Sequence, residues 1–202
     1  MHLDSFKYFY PERPRLLHVD QPLFEQLSAN PQWIAEPKYN GSRLMLHHLD
    51  GAWQFWNRHE QLMAYCPSEE VKQALAGMKI KGYWLFDGEL RHHKTKGVHH
   101  RIALYDVCVA GGVLLCDQLF ADRRFTLEAL FHYLGPDNGY HLDLAPQYDT
   151  DFRAVFQRLT PDEEIEGLVI KNLRGRLNLG RTRAVESNWM WKVRKPSGRY
   201  QF

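Results

Sequence analysis

The chain has 202 residues, of which 44% are hydrophobic and 25% are charged, and its formal net charge is +2. It contains no apolar run of about 18 residues that could cross a bilayer, and its first residues lack the basic segment and cleavage site of a secretion signal. Because Cys66, Cys108 and Cys116 form no CxxC pair, we expect a reducing, cytoplasmic setting with no membrane partner.

Positive charge is concentrated late in the sequence. Residues 171–202 contain nine Lys or Arg and one acid, Glu186, which gives +8 against −6 for the other 170 residues. Such a run is either a solvated basic face or a surface that binds phosphates, and composition alone does not choose between them.

The first predicted elements are a β-hairpin and a helix. Asp50-Gly51 is typical of a two-residue hairpin turn, so residues 42–49 and 52–58 are predicted to pair. Residues 68–76 are predicted to form a helix because Ser68 can cap its start and Gly77 follows its end.

Later elements follow from the same patterns. Strands are predicted at 82–90, 101–109, 113–116, 166–171 and 189–194, and helices at 121–134 and about 150–159. Since the strands are mostly joined as hairpins, we predict an α+β fold with antiparallel sheets flanked by helices, in a single domain spanning 1–202.

Five short segments contain candidate catalytic residues, and each is a weak signal alone. They are EPKYNGSR (36–43), NR (57–58), FDGEL (86–90), EGLVIK (166–171) and WKVR (191–194). In order and spacing they resemble the motifs of the covalent nucleotidyltransferases, which include ATP-dependent DNA ligases, RNA ligases and mRNA capping enzymes. The resemblance covers about Trp33 to Pro196 and implies a nucleotide site between two sheets.

Lys38 is the candidate nucleophile. A lone lysine is usually a surface charge, and it attacks only after losing a proton, which requires burial or nearby cations. Lys171, Lys192 and Arg194 could supply those cations and also hold an α-phosphate. The resemblance implies that Lys38 takes AMP from ATP as a covalent lysyl-AMP, with Lys192 and Arg194 assisting catalysis.

Two arginines and one asparagine complete the first two motifs. Arg43 matches the arginine that closes the DNA ligase form of the lysine motif, and we expect it to face phosphate on the nucleic acid or the nucleotide. Arg58 matches the arginine of a family motif that contacts ribose or a 5′-phosphate. Asn40 departs from the usual aspartate, and we expect activity to survive that change.

The nucleotide contacts come from the later motifs. Glu89 and Glu166 are expected to hold Mg²⁺, because this ion bridges one or two carboxylates to substrate phosphate. The resemblance implies that Tyr105 stacks on the purine, that Val169 covers its other face, and that Glu36 contacts the adenine. Without the resemblance, an aromatic residue such as Tyr105 in an apolar strand is more often part of a core.

The pattern formed by Tyr105-Asp106-Val107, Gly111-Gly112, Asp117 to Phe120 and Arg123-Arg124 is similar to that of ATP-dependent DNA ligases. It favours a DNA ligase that seals nicked duplex DNA in repair or replication. The alternatives are an RNA ligase, a capping-type guanylyltransferase and a nucleic-acid-binding module that has lost its chemistry.

Few residues follow the last motif. Family members usually carry an OB-fold domain there, so we expect either a stand-alone, monomeric adenylation domain, for which a partner could supply the OB-fold function, or a fragment of a longer protein. We then expect the basic segment to be the main contact to nucleic acid, through Arg174, Arg176, Arg181 and Arg183.

Two segments match no motif. The basic, His-rich stretch 91–101 is interpreted as a solvated loop rather than a metal site. The aromatic residues Phe6, Tyr8, Phe9 and Tyr10 are expected to pack onto the domain.

Overall fold

The computed structural model describes residues 3, 5–132 and 140–196, and these residues form ten strands and four helices. The strands are Arg13–Leu16 (β1), Trp33–Tyr39 (β2), Ser42–Leu49 (β3), Ala52–Trp56 (β4), Tyr83–Arg91 (β5), Arg101–Ala110 (β6), Val113–Leu114 (β7), Leu142–Leu144 (β8), Ile165–Asn172 (β9) and Glu186–Arg194 (β10). The helices are Pro22–Ser28 (α1), Glu69–Gly77 (α2), Phe120–His132 (α3) and Phe152–Leu159 (α4).

The strands form two sheets. One has four strands in the order β1-β10-β9-β2, and the other has the order β4-β3-β5-β6-β7 with β8 added beside β6. Most neighbouring strands are antiparallel, which confirms the predicted α+β class. Two pairs are parallel and were not predicted, β1 with β10 and β8 with β6. Neither pair can be joined by a tight turn, so hairpin signals do not reveal them.

The elements with strong local signals form as predicted. Asp50 and Gly51 have φ of 47° and 88°, the positive values that the predicted hairpin turn requires. The Ser68 side chain accepts a hydrogen bond from the Val71 amide and caps α2. The predicted helix at 121–134 corresponds to α3, and its last predicted residues lie outside the described part of the chain.

Four elements were missed because their sequences carry contrary or weak signals. Pro11 precedes β1, Pro14 lies within it, and β2 contains Pro37. Proline fits β2 because this strand lies at the edge of its sheet. Helix α1 follows Gln21, whose side chain makes no capping hydrogen bond, and β8 has only three residues.

Helices cover the outer face of each sheet. Leu168 and Ile170 of β9 pack with Phe24 of α1 and Phe152 of α4 on the four-stranded sheet. On the other sheet, Leu44, Leu46 and Phe86 are among the buried residues that pack with α2 and α3. The inner faces of the two sheets meet in a third cluster that includes Ile34, Met45, Leu85 and Met190. The sheets therefore face each other, and the space beside this cluster is available for a site.

The N-terminal aromatic residues pack onto the domain, as predicted, and three of them join this intersheet cluster. Phe9 is buried in it, Phe6 and Tyr8 pack against it, and the Tyr10 ring contacts the Tyr8 ring. The three cysteines are free, with Cys108 buried and Cys66 exposed. In the described segments, no helix combines the length and apolar character needed to cross a membrane.

His47 makes the fold sensitive to acid. Its side chain is buried beside Tyr83, with 2.9 Å between Nδ1 and the phenol oxygen, and burial lowers the His47 pKa from 6.5 to about 4. The unfolded chain therefore takes up a proton between these values while the folded chain does not, so stability falls as the pH drops. We expect His47 to lower the free energy of unfolding by about 3 kcal/mol as the pH falls from 6.5 to 4.

Urea unfolding of wild type and His47→Gln at these two pH values measures the effect. The variant should lose less stability on acidification, whereas His18→Gln, at an exposed histidine, should behave as wild type. Equal acid sensitivity of His47→Gln and wild type would contradict the assignment.

Candidate active site

A cavity of about 740 Å³ opens between the inner faces of the two sheets. Its lining includes all eleven residues singled out from the sequence: Glu36, Lys38, Arg43, Arg58, Glu89, Tyr105, Glu166, Val169, Lys171, Lys192 and Arg194. The five motifs, which are scattered over some 160 residues of sequence, are therefore brought together at one place.

Strand alternation aims the motif side chains of the four-stranded sheet into the cavity. Glu36 of β2 and Lys192 of β10 both pair with Val169 of β9, so these three side chains share one face. Lys171 and Arg194 lie two residues further along β9 and β10 and also line the cavity. The opposite face carries the apolar residues that contact the helices.

Glu166 reaches the same face through an irregularity in the ladder. Lys38 pairs with Gly167, but Tyr39 pairs with Ile165, so Glu166 is an extra residue between two pairs. Such a bulge re-aims a side chain, here toward Lys38. Gly167 has a φ of 152°, and a Cβ on it would overlap the Val193 carbonyl. Only glycine fits beside this bulge.

We expect Gly167→Ala to destabilise the domain by about 1–3 kcal/mol, because both the backbone angle and the Val193 carbonyl oppose a side chain. Thermal unfolding measures the loss. Gly111→Asn is the control, since Gly111 also has positive φ but open space around it. Equal stabilities of Gly167→Ala and wild type would show that the bulge tolerates a Cβ.

Lys38 is partly buried and ion-paired. Its Nζ donates a hydrogen bond to Glu166, and Arg194 Nε lies 3.7 Å from the same carboxylate oxygen. Burial lowers the pKa of Lys38, the hydrogen bond to Glu166 opposes this, and the Arg194 charge lowers it further. Lys38 thus combines a reduced affinity for its proton with a fixed orientation, as a lysine nucleophile requires.

Asn40 lies outside the cavity. Its amide nitrogen is 3.4 Å from the Glu163 carbonyl oxygen, and its backbone N–H donates to Glu164. At the position where the motif usually has an aspartate, this chain has an amide that points toward Glu163, just before β9. The carboxylate that hydrogen-bonds to Lys38 is instead that of Glu166.

Glu36 and Lys171 form a buried pair deeper in the cavity. Lys171 Nζ lies 2.6 Å from Glu36 Oε2, and Gln147 Nε2 donates to Glu36 Oε1 over 2.9 Å. Lys171 Nζ is also 5.3 Å from the centre of the Tyr105 ring. The carboxylate is held from two sides, so it presents a fixed hydrogen-bond acceptor beside an aromatic face.

Tyr105 and Val169 occupy opposite walls. Tyr105 belongs to β6 of the larger sheet and stacks on Tyr39, with ring centres 6.3 Å apart; Val169 belongs to β9. An aromatic face and an apolar side chain on facing walls fit a flat ring between them.

Arg43 and Glu89 lie opposite each other on β3 and β5. Arg43 donates two hydrogen bonds to Asp87. Its guanidinium, which was expected to face phosphate, is therefore already paired with a carboxylate of the protein. Burial raises the pKa of Glu89 to about 7, although the Arg43 and Lys38 charges oppose this. Glu89 makes no hydrogen bond to the described residues, and its carboxylate faces the cavity.

Two of the carboxylates in the cavity could hold a magnesium ion. Glu89 and Glu166 stand on different sheets and line the same cavity. Within the described ranges, no three or more His, Cys, Asp or Glu side chains are arranged to hold a metal ion. Mg²⁺ commonly takes one or two carboxylates and completes its shell with water and phosphate, so two are enough.

Other predicted residues lie near the rim. Arg58 is exposed, and its Nε contacts the His59 ring. In the His-rich loop, the His92 ring contacts those of His93 and His100, while Lys94 lines the cavity. No motif identified Lys94 in advance.

Residues before β2 and residues 173–185, before β10, supply further lining residues. Glu12 and Arg13 were missed by the sequence patterns, and Arg183 was expected only as a contact to nucleic acid. The high Lys and Arg content of 171–202 was a partial signal for Arg183. Nothing in the local sequence indicated Arg13.

No protein-family model matches the chain, and no curated protein sequence matches it. Solved structures do match. A mycobacterial DNA ligase D complexed with ATP and MES has a TM-score of 0.70 at 19% identity, covering 96% of this chain and 62% of that chain. The ATP-dependent DNA ligase from bacteriophage T7, in complex with ATP, has a TM-score of 0.61 at 17% identity, covering 92% and 68%. The chain has the adenylation-domain fold of DNA ligases.

This adenylation-domain fold agrees with the motif resemblance. A Lig E DNA ligase gives a TM-score of 0.58 at 16% identity, covering 91% of this chain and 69% of that chain. The chain spans only 62% and 59% of the lengths of the mycobacterial ligase D and of the M. tuberculosis LigD ligase domain. The likeness therefore describes the adenylation-domain portion of those chains.

Proposed function

We propose that the chain is an ATP-dependent polynucleotide ligase that works through a lysyl-AMP on Lys38. The observation that carries the proposal is that Lys38 lines one cavity with Glu36, Glu89, Glu166 and Lys192, on the adenylation-domain fold. A non-catalytic binding module would not need a partly buried, carboxylate-paired lysine together with two further carboxylates in one cavity.

In the first step, the neutral Lys38 amine attacks the α-phosphorus of ATP. The N–P bond forms as the bond from that phosphorus to the bridging oxygen breaks, and pyrophosphate leaves with the bonding electrons. The amine loses one proton, and Glu166, which accepts its hydrogen bond, is placed to receive it. Lys192 and Arg194 lie on the same face as Lys38 and offset the charge that develops on phosphate.

The remaining residues position the nucleotide. Tyr105 and Val169 would enclose the purine, and the fixed acceptor of Glu36 suits the amino group of adenine. Glu89 and Glu166 would hold Mg²⁺, which supplies charge neutralisation at the phosphates when bound. Arg43, held by Asp87, keeps one side of its guanidinium toward the cavity.

The later steps act on nucleic acid. AMP passes from Lys38 to a 5′-phosphate, and a 3′-hydroxyl then displaces AMP to close the strand. The solved structures that this chain resembles are described as DNA ligases, and its basic segment offers Arg174, Arg176 and Arg181 for phosphate contacts. We therefore propose nicked duplex DNA as the substrate and a cytoplasmic monomer as the working form.

The test is sealing of a duplex with one nick, supplied with ATP and Mg²⁺. Three substrates are compared: a DNA nick, a nick with RNA on the 5′-phosphate side, and a DNA nick lacking the 5′-phosphate. Sealing of the first is expected and the third must stay open. Preference for the second would replace DNA by RNA as the sealed strand, and labelling by GTP alone would indicate a capping-type enzyme.

A further inference from the structure

The cations that line the cavity differ in whether a carboxylate pairs with them. Lys38, Arg43 and Lys171 each contact a carboxylate, those of Glu166, Asp87 and Glu36 respectively. The side chains of Arg13, Arg183 and Lys192, like that of Lys94, make no hydrogen bond or ion pair to any described residue. Arg13, Arg183 and Lys192 therefore form a local excess of positive charge that no carboxylate contacts directly.

Arg13 is held at the cavity by main-chain contacts. Tyr10 and Gly180 exchange two backbone hydrogen bonds of 2.9 and 3.1 Å, and the Arg13 amide donates to the Val185 carbonyl over 2.8 Å. Glu12, which lies between Tyr10 and Arg13 in the sequence, is buried and accepts a hydrogen bond from the Asn178 amide. The N-terminal segment is thus fixed along the segment before β10, which brings Arg13 and Arg183 into one wall.

This wall continues into the catalytic residues. Burial lowers the pKa of Lys192, and the charges of Arg194, Lys38 and Arg13 lower it further, while Glu186 acts in the opposite sense. The positive charges of Arg13 and Lys38 are therefore both close enough to Lys192 to repel its charge. A ligand that places one phosphate at Lys38 and Lys192 would carry its next phosphates toward the unpaired arginines.

We propose that Arg13 and Arg183, beside Lys192, bind the β- and γ-phosphates of ATP and hold the departing pyrophosphate. The inference rests on the proposed function and extends it to residues that no motif includes. As the bond to the α-phosphorus breaks, negative charge accumulates on pyrophosphate, and two guanidinium groups without internal partners stabilise that charge. Pyrophosphate also enters the reverse step, in which it attacks the lysyl-AMP and regenerates ATP.

The experiment compares wild type, Arg13→Ala, Arg183→Ala and Arg15→Ala in three assays. Arg15 is the matched control because it lies on the same strand as Arg13 but does not line the cavity. Its guanidinium pairs with Glu186 at 3.2 Å. The assays are AMP addition from ATP, loss of AMP from preformed adduct on adding pyrophosphate, and sealing of a pre-adenylated nick. The last assay does not involve pyrophosphate.

We expect Arg13→Ala and Arg183→Ala to slow the first two assays by about 10- to 100-fold and to leave the third unchanged. Arg15→Ala should match wild type in all three, and Arg13→Lys should restore part of the rate. Equal thermal unfolding of the variants excludes a folding defect.

Two results would overturn the inference. If sealing of the pre-adenylated nick slows as much as AMP addition, the arginines bind the nucleic-acid strand instead. If no assay changes, they are solvated surface charges. Failure of the wild type itself to take up AMP would instead remove the proposed function on which the inference rests.

Discussion

Replacing Lys38 by alanine is expected to abolish AMP transfer, lowering its rate by at least about 1000-fold. Lys38 is the partly buried amine that contacts Glu166, and among the described residues no other lysine pairs with that carboxylate. Intact mass after incubation with ATP and Mg²⁺ gives the answer. Wild type should gain one AMP, and Lys38→Ala should gain none.

The Lys38→Arg variant separates nucleophilicity from charge. Its guanidinium keeps a positive charge beside Glu166 but stays protonated, so it cannot attack phosphorus. We expect it to remain folded and to gain no AMP, while Lys72→Ala, at an exposed lysine of α2, should gain AMP normally. An adduct on either Lys38 variant would move the nucleophile to another residue.

The second large effect concerns stability. Arg123 is fully buried and donates two hydrogen bonds to Asp106, at 2.8 and 2.7 Å, and further bonds to the carbonyls of Gln118 and Gly175. We expect Asp106→Asn to destabilise the domain by about 3–5 kcal/mol, because it leaves a buried cation without its ionised partner. Urea unfolding at neutral pH measures this loss.

Two comparisons test the cause. Glu69→Gln removes an exposed ion pair with Lys72 and should cost no more than about 1 kcal/mol. The double variant Asp106→Leu, Arg123→Met removes both charges and should recover much of the lost stability. If Asp106→Asn costs no more than Glu69→Gln, the buried pair does not stabilise the fold.

The Asp106–Arg123 pair also explains part of the sequence pattern. Both residues belong to the segment that resembles DNA ligases, and in the structure they tie β6 to α3 and to the segment before β10. The pattern therefore identifies the fold through a buried structural contact. It does not by itself specify which nucleic acid is sealed.

The sequence predicted those elements whose backbone conformation depends on one or two neighbouring residues. The Asp50-Gly51 turn and the Ser68 cap are of this kind, since turn and cap depend on neighbouring residues alone. Strand β1 and helix α1 depend on long-range contacts: β1 forms because β10 offers a parallel edge, and α1 forms because Phe24 and Leu27 are buried against α4 and β9. Their own sequences contain no comparable signal.

The site shows the same division. Lys38, Glu89 and Glu166 could be chosen because they stand in motifs with ordered spacing. The bulge that turns Glu166, the pairing of Arg43 with Asp87 and the approach of Arg13 to Lys192 arise only when the sheets assemble. Sequence motifs alone therefore could not identify the site residues that the N-terminal segment contributes.

The order of strands in the two sheets has a consequence for synthesis on the ribosome. Five strands of the larger sheet lie within residues 42–114, so that sheet can form early from mainly local contacts. The smaller sheet joins residues 13–16 and 33–39 to residues 165–172 and 186–194, and it has to wait until the late strands emerge. Because Lys38 lies in an early strand and Glu166 in a late one, the nascent chain should remain catalytically silent until β9 and β10 have docked.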